Sequence, residues 1–330
     1  MTNFKAFWVE KTDDGVAHSV IERSTDDLPE GELLVKVAYS SLNYKDAMSA
    51  KGLPGVTRNY PHTPGIDAAG VIVESTDSGF AEGDEVIVIG YDLGMNTAGG
   101  YGQYIRVPAN WAVKMPAGLD AREAMIIGTA GFTAALCVDK IEQMGAQPSD
   151  GPVVVTGATG GVGSVAVALL AKLGYDVVAS SGKAEKDDYL KSLGAGSVIS
   201  RADLSEENKR PMAAETWAHG IDTVGGEILS NVIKGLKYSG SVAICGLVAS
   251  PAFSTTVLPF ILRNVNVLGD DSVELPLAKK QEIWHRLATD LKLDTLDKMT
   301  TEVTLDGLSD VIDSIIQGGV SGRTLVKLDD

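Results

Sequence analysis

One run of residues, Thr156-Gly157-Ala158-Thr159-Gly160-Gly161-Val162-Gly163, constrains this chain more than any other. It follows three valines, Val153–Val155, and leads into the apolar stretch Ser164–Leu173. A β-branched run, a glycine cluster and an apolar helical pattern, in that order, predict a strand–turn–helix unit. Glycines at 157, 160 and 163 are spaced as GxxGxxG. They meet the needs of a dinucleotide site: a tight turn, amides that approach a pyrophosphate, and a helix packed closely on its strand. The helix N-terminus adds partial positive charge toward a dianionic group. A glycine cluster alone is often just a turn; here its alternating α/β setting favours dinucleotide binding.

That setting extends well beyond the cluster. Strand patterns recur at Val153–Thr156, Asp176–Ser180, Ser197–Ser200, Ile221–Val224, Ser241–Cys245 and Val265–Gly269, with helix patterns such as Ser164–Leu173 and Lys186–Leu193 between them. Six short apolar strands alternating with helices predict an α/β doubly wound parallel sheet. The first third, to about Leu119, reads differently. Its short β-like runs are Leu33–Val37, Gly70–Glu74 and Glu85–Ile89, broken by turn signals at Leu28-Pro29-Glu30-Gly31 and Glu82-Gly83-Asp84. That spacing suits a small, irregular, barrel-like β domain. Asp120-Ala121-Arg122-Glu123 has the form of a capping box opening a long helix through Ala124–Met144. The tail adds a helix, Gly307–Gln317, and a strand, Gly322–Leu328, expected to return to the first domain.

Composition removes several classes. The 330 residues carry 28 Lys+Arg against 44 Asp+Glu, a net charge of −16 with no basic stripe, so nucleic acid is not an expected partner. Cys137 and Cys245 are the only cysteines. That excludes a disulfide framework and any thiolate-built metal site. His18, His62, His219 and His285 are scattered without ligand spacing, so no metal is expected. The opening MTNFKAFWVEK is charged where a signal peptide needs an apolar stretch, which predicts a cytoplasmic protein. Gly151–Ala171 is uncharged and long enough to span a bilayer. Its five glycines instead fit the buried strand–turn–helix, and no membrane partner is expected.

The end of the second strand selects the dinucleotide. NAD requires a carboxylate there for the ribose 2′-hydroxyl, but the chain reads Ala179-Ser180-Ser181-Gly182-Lys183. Asp176 faces the wrong end of that strand, and Glu185 already belongs to the next helix. An added 2′-phosphate would meet Ser181 and Lys183, with Arg201, just after the third strand, placed to reach the same corner. Two charge-assisted bonds at ~1.5–3 kcal/mol each would favour NADPH over NADH by roughly 10²–10⁴-fold. The plainer reading makes Lys183 and Arg201 solvated surface cations.

Several stretches resemble the medium-chain dehydrogenase/reductase superfamily, in its zinc-free quinone-oxidoreductase-like branch. They are Ser41-Leu42-Asn43-Tyr44-Lys45-Asp46, His62-Thr63-Pro64-Gly65-Ile66-Asp67, Gly99-Gly100-Tyr101-Gly102-Gln103-Tyr104, Ile127-Gly128-Thr129-Ala130-Gly131-Phe132-Thr133-Ala134 and the glycine cluster. Within the branch the chain is most similar to NADPH-dependent acrylyl-CoA reductases, from about Leu33 to Lys327. The resemblance implies a GroES-like β-barrel catalytic domain over 1–123, completed by 295–330, and a Rossmann NADPH-binding domain over 124–294. It also implies reduction of acryloyl-CoA to propanoyl-CoA by hydride transfer to the β-carbon, without zinc. An enolate then develops on the thioester oxygen and the α-carbon is protonated.

Carried to matching positions, the resemblance implies cofactor contacts at Tyr44, Thr159, Gly160, Gly161, Val162, Ser181, Gly182, Lys183, Arg201, Leu247, Ile261 and Ser272. Tyr44 would be catalytic: positioning the nicotinamide, donating to the enolate or relaying the proton, against the plainer reading of a packed loop tyrosine. Asn43, Asp46 and Asp67 would brace the loops. Arg58, Arg263 and Arg323 are candidates for the CoA phosphates, needed because the global field of a −16 protein repels polyanions. Relatives commonly pair through the edge of the cofactor-domain sheet, which implies a homodimer. Two other functions fit the residues: a quinone or general enone/enal oxidoreductase, and a redox-inactive NADPH-binding module.

Overall fold

The computed structural model describes residues 1–13 and 15–328. The chain divides into two compact units, one of Met1–Thr129, Val273–Thr289 and Met299–Asp330, the other of Ala130–Ser272 and Asp290–Lys298.

The second unit is built on a six-stranded sheet of Val153–Val155, Val177–Ser181, Ser197–Ser200, Trp217–Asp222, Leu236–Ile244 and Asn266–Gly269. Every pairing is parallel, and the strands lie third-second-first-fourth-fifth-sixth. This is the doubly wound order, whose direction reverses between the first and fourth strands. Val153, Val154 and Val155 are fully buried, as a strand covered on both faces requires. The helix Gly161–Lys172 buries Gly163 through Leu170. The fourth and fifth strands start earlier than the apolar pattern alone indicates, because Trp217-Ala218-His219-Gly220 and Lys237-Tyr238-Ser239-Gly240 carry no continuous apolar run.

The first unit holds a seven-stranded sheet in which Leu33–Leu42 pairs antiparallel with Asp67–Ser75, Tyr104–Val107 and Arg323–Lys327. The C-terminal strand therefore does return to the N-terminal sheet, with Thr324 opposite Leu42. An antiparallel hairpin of Asn3–Thr12 and Gly15–Ser24 adds Phe7 and Val9 to the core. The segment Val273–Thr289 also belongs to this unit. Lys280, 1% exposed, donates from Nζ to the carbonyls of Ile89 (2.8 Å) and Val273 (2.9 Å). Its ammonium sits 3.4 Å from the Tyr91 ring centroid, so the buried charge is met by carbonyl and π acceptors.

The chain passes from one unit to the other inside the helix Ala121–Gln143. Glu123 N–H donates to Asp120 Oδ1 (2.7 Å) and Asp120 N–H to Glu123 Oε2 (3.3 Å), which completes the capping box. Replacing Asp120 with alanine is expected to lower stability by about 0.5–2 kcal/mol, read by denaturant titration. The helix is not continuous: Gly128 adopts φ 50° and ψ −164°. By length and composition this helix could cross a membrane, yet its apolar window is largely buried within the protein.

Candidate functional site

The glycine turn lies at the carboxyl end of the first strand, where the sheet order reverses. Gly157 takes φ +58°, and a Cβ there would strike Thr223 Oγ1. A Cβ on Gly163 would strike the Gly157 carbonyl oxygen, so helix and turn pack too closely for any side chain. Gly160 caps Gly161–Lys172 with no side-chain hydrogen bond, leaving the first amides of that helix open to an anion. Thr159 and Val162 complete the turn. These features fit a dinucleotide pyrophosphate.

Below the turn, Thr156 and Asp222 lock the first and fourth strands together. Thr156 Oγ1 donates to Asp222 Oδ1 (2.7 Å), Gly225 N–H donates to Oδ2 (2.7 Å), and Thr223 Oγ1 donates to the Thr156 carbonyl (2.9 Å). Burial raises the Asp222 carboxyl, against the opposing pull of the Thr156 hydroxyl and the backbone donors. The sequence hardly marks this bracket. Its one signal was a polar residue ending each of two apolar strands.

The neighbouring corner is formed by Ser181, Gly182, Lys183 and Arg201. Arg201 N–H donates to the Ser181 carbonyl (2.8 Å), and Lys183 N–H donates to Ser181 Oγ (3.0 Å). The Arg201 side chain is exposed and its guanidinium reaches back over Gly182. Burial first, and then the nearby Lys186, lower the Lys183 ammonium, against the opposing pull of Glu185. Thr159–Val162, Ser181–Lys183 and Arg201 thus all lie at the carboxyl ends of three adjacent strands.

Of three further residues inferred from resemblance, Leu247 and Ser272 follow the fifth and sixth strands, and Ile261 precedes the sixth. Leu247 (65% exposed) follows the fifth strand, and Ile261 (69% exposed) lies on Leu258–Arg263. Ser272, after the sixth strand, is buried and accepts from Thr133 Oγ1 at 2.9 Å.

Tyr44 belongs to the other compact unit. It is the first residue of the helix Tyr44–Ala50 and is 42% exposed. The residue before it is held from several sides. Asn43 Nδ2 donates to Asp67 Oδ2 (2.8 Å) and Asp46 Oδ2 (3.1 Å), and Asn43 N–H donates to Asp46 Oδ2 (2.8 Å). Asp67 also accepts from Ser41 Oγ and from the Thr129 N–H (2.9 Å) and hydroxyl. Arg323, 2% exposed, donates to Ser41 Oγ (2.9 Å), the Ile126 carbonyl (2.8 Å) and Asn43 Oδ1 (3.3 Å). Gly128 is needed here too, because a Cβ would collide with Ser41, Asp67 and Arg323.

Arg323 is therefore not available to a CoA phosphate, and neither is Arg263. The Arg263 guanidinium donates to the carbonyls of Lys234, Leu236 and Ala213 and pairs with Glu215. Arginine is the side chain best able to satisfy several carbonyls at once, and a sequence does not show which arginines do so. Of the three candidates, only Arg58 is exposed.

Burial, and then the charge of Asp67, push the Asp46 carboxyl up to about 7. An ordinary Asp ionises near ~4. Between those values the folded protein keeps a proton that the unfolded chain has lost. This contribution is full below about pH 4 and is lost as pH rises through about 7. The stability advantage of the native protein over Asp46→Asn should accordingly shrink across that window, followed by denaturant titration at stepped pH. A difference that stays flat with pH would remove Asp46 as its source.

A doubly wound sheet with a glycine turn at its switch point, together with a β domain completed by the C-terminal strand, defines a two-domain dehydrogenase/reductase fold. The family model for the alcohol dehydrogenase GroES-like domain matches residues 29–117, and that for zinc-binding dehydrogenase matches 161–289. The chain belongs to the medium-chain dehydrogenase/reductase superfamily. It is 47% identical to the putative quinone oxidoreductase YhfP of Bacillus subtilis, over 99% of both chains. The structure of that protein with NAD bound superposes at a TM-score of 0.97, covering 99% of this chain and 100% of the other. It is also 47% identical to the probable acrylyl-CoA reductase AcuI of Escherichia coli, over 98% of this chain and 99% of that one. The yhdH oxidoreductase of Salmonella enterica, solved with NADP, is 48% identical with a TM-score of 0.96, covering 98% of this chain and 100% of that one. Among the described residues no group of three or more His, Cys, Asp or Glu could hold a metal ion.

Proposed function

We propose that this protein is an NADPH-dependent acrylyl-CoA reductase that converts acryloyl-CoA to propanoyl-CoA. The observation that carries the reading is the similarity to AcuI along almost the whole chain, with 47% of residues identical. When bound, NADPH supplies the hydride that adds to the β-carbon, and a proton completes the new C–H bond at the α-carbon. The residues of the chain bind and orient. Thr159, Gly160, Gly161 and Val162 hold the pyrophosphate against the helix N-terminus, and Ser181, Gly182, Lys183 and Arg201 take the 2′-phosphate. Leu247, Ile261 and Ser272 add contacts farther along the cofactor.

Tyr44 is assigned the chemical role. Its phenol can donate to the thioester oxygen, where negative charge develops. Asn43, Asp46, Asp67 and Arg323 are positioning residues that hold the start of its helix. Arg58 remains as the candidate for a CoA phosphate.

The reading is tested by NADPH consumption with acryloyl-CoA, crotonyl-CoA and a simple quinone side by side. Fast turnover of acryloyl-CoA alone supports it. Turnover of the quinone with neither thioester would replace it with the activity named for YhfP.

Two finer statements belong to the same proposal. The chain works in the cytoplasm, where its two cysteines stay as free thiols. It forms a homodimer through Asn266–Gly269, the last strand of the six-stranded sheet, near the exposed apolar residues Val257, Ile261 and Leu262. Sedimentation equilibrium should give twice the 34.6 kDa chain mass; a single-chain mass at micromolar concentration would discard the dimer.

A further inference from the structure

Gly182 is a glycine without a conformational reason to be one. It is not among the glycines with positive φ, so any L-residue could adopt its backbone. What a side chain would meet is Arg201. A Cβ at 182 would stand 2.9 Å from Arg201 Cζ, 3.0 Å from Nε and 3.1 Å from Nη2, and these are its three nearest heavy atoms. No backbone atom is as close. The glycine makes room for one thing, a guanidinium.

The backbone that carries that guanidinium is fixed at the end of the third strand. Ser200 is paired with Ser181 across the second and third strands, and the Arg201 N–H donates to the Ser181 carbonyl at 2.8 Å. The Arg201 carbonyl accepts from Ser205 Oγ at 2.7 Å, so the backbone at this residue is tied on both sides. The side chain is exposed and has no ion pair among the described residues. Beside it, Ser181 Oγ accepts from Lys183 N–H, which leaves the hydroxyl proton free to donate. The Arg201 guanidinium and the Ser181 hydroxyl therefore stand at one corner.

We propose that Gly182 determines specificity for the phosphorylated dinucleotide. Lacking a side chain, it lets Arg201 fold back over the end of the second strand and stay there before any ligand arrives. The inference rests on the reading that the cofactor is NADPH and adds the residue that sets the preference. A long, flexible side chain loses rotamer freedom when it must be ordered by its ligand, and pre-ordering it removes that cost from binding. A methyl group at 182 would push the guanidinium away. Because the guanidinium is the far end of a flexible side chain, the strand itself need not move.

The test is equilibrium binding of NADP⁺ and NAD⁺ by titration calorimetry, on the ligand-free full chain, for the native protein, Gly182→Ala, Arg201→Ala and the double variant. Gly182→Ala should weaken NADP⁺ about tenfold, leave NAD⁺ within about twofold and keep the native melting temperature, one charge-assisted bond being worth about that factor or more. The double variant should bind NADP⁺ no more weakly than Arg201→Ala alone, because the methyl group acts only through the arginine. Equal weakening of both nucleotides, an unchanged preference, or losses that add in the double variant would each overturn the role of Gly182. If the native protein itself bound NAD⁺ as tightly as NADP⁺, the NADPH reading would fall first.

Discussion

Replacing Arg323 with methionine is expected to lower stability by about 3–5 kcal/mol, the usual consequence of removing one partner from a buried charge network. The guanidinium is 2% exposed and carries the positive charge facing Asp67 and Asp46. Burial presses its own pKa down, and the two carboxylates and Tyr101 pull it back. Without it, the Ser41 hydroxyl, the Ile126 carbonyl and Asn43 Oδ1 each lose a donor, and the buried Asp67 carboxylate loses the cation beside it. A second substitution, Asp67→Asn, should recover part of the loss by removing the stranded charge. Denaturant titrations of the three variants check both statements. A double variant less stable than Arg323→Met by the full cost of Asp67→Asn alone would show that the two residues do not act as a pair.

Replacing Arg201 with alanine is expected to lower kcat/KM for NADPH by about 10–100-fold while leaving that for NADH within about twofold. The estimate is one charge-assisted hydrogen bond of ~1.5–3 kcal/mol lost only when the 2′-phosphate is present. The exposed guanidinium makes the expectation clean, because among the described residues no ion pair is broken by its removal. Lys183→Ala should act in the same direction with a smaller effect, since a lysine offers a point charge without the planar fork. Steady-state kinetics with both nucleotides, at fixed ionic strength, separates these cases. Equal losses for NADPH and NADH would remove Arg201 from the phosphate corner.

Much of the candidate site was legible because the local geometry of a glycine turn depends on near neighbours. The glycine spacing, the valines before it and the apolar helix after it are contiguous, and the structure places them at the switch point. The Ser181-Gly182-Lys183 corner was legible for the same reason, with Arg201 following one strand later. What stayed hidden were pairings between residues far apart in sequence. Thr156 meets Asp222, and Ser41 meets Asp67 and Arg323, through sheet pairings that a linear reading does not specify. Gly128 was hidden as well. Inside an otherwise regular helical pattern it reads as a small residue, and only the packed Ser41, Asp67 and Arg323 side chains show why the helix must break there.

The arginines divide along the same line. Arg58, Arg263 and Arg323 are equivalent in sequence, each a cation in a segment resembling the family. The structure spends Arg263 on three backbone carbonyls and Arg323 on a buried network, and leaves Arg58 exposed. By itself the sequence determined the layered α/β class, the strand–glycine turn–helix unit and the lack of a carboxylate at the end of the second strand, because periodicity, glycine spacing and residue type are local properties. The tertiary structure alone decided which charges are buried, which carboxylate is pushed toward neutrality and why residue 182 has no side chain. Those outcomes depend on desolvation and on contacts a few ångströms across, and both are set by what the fold brings together.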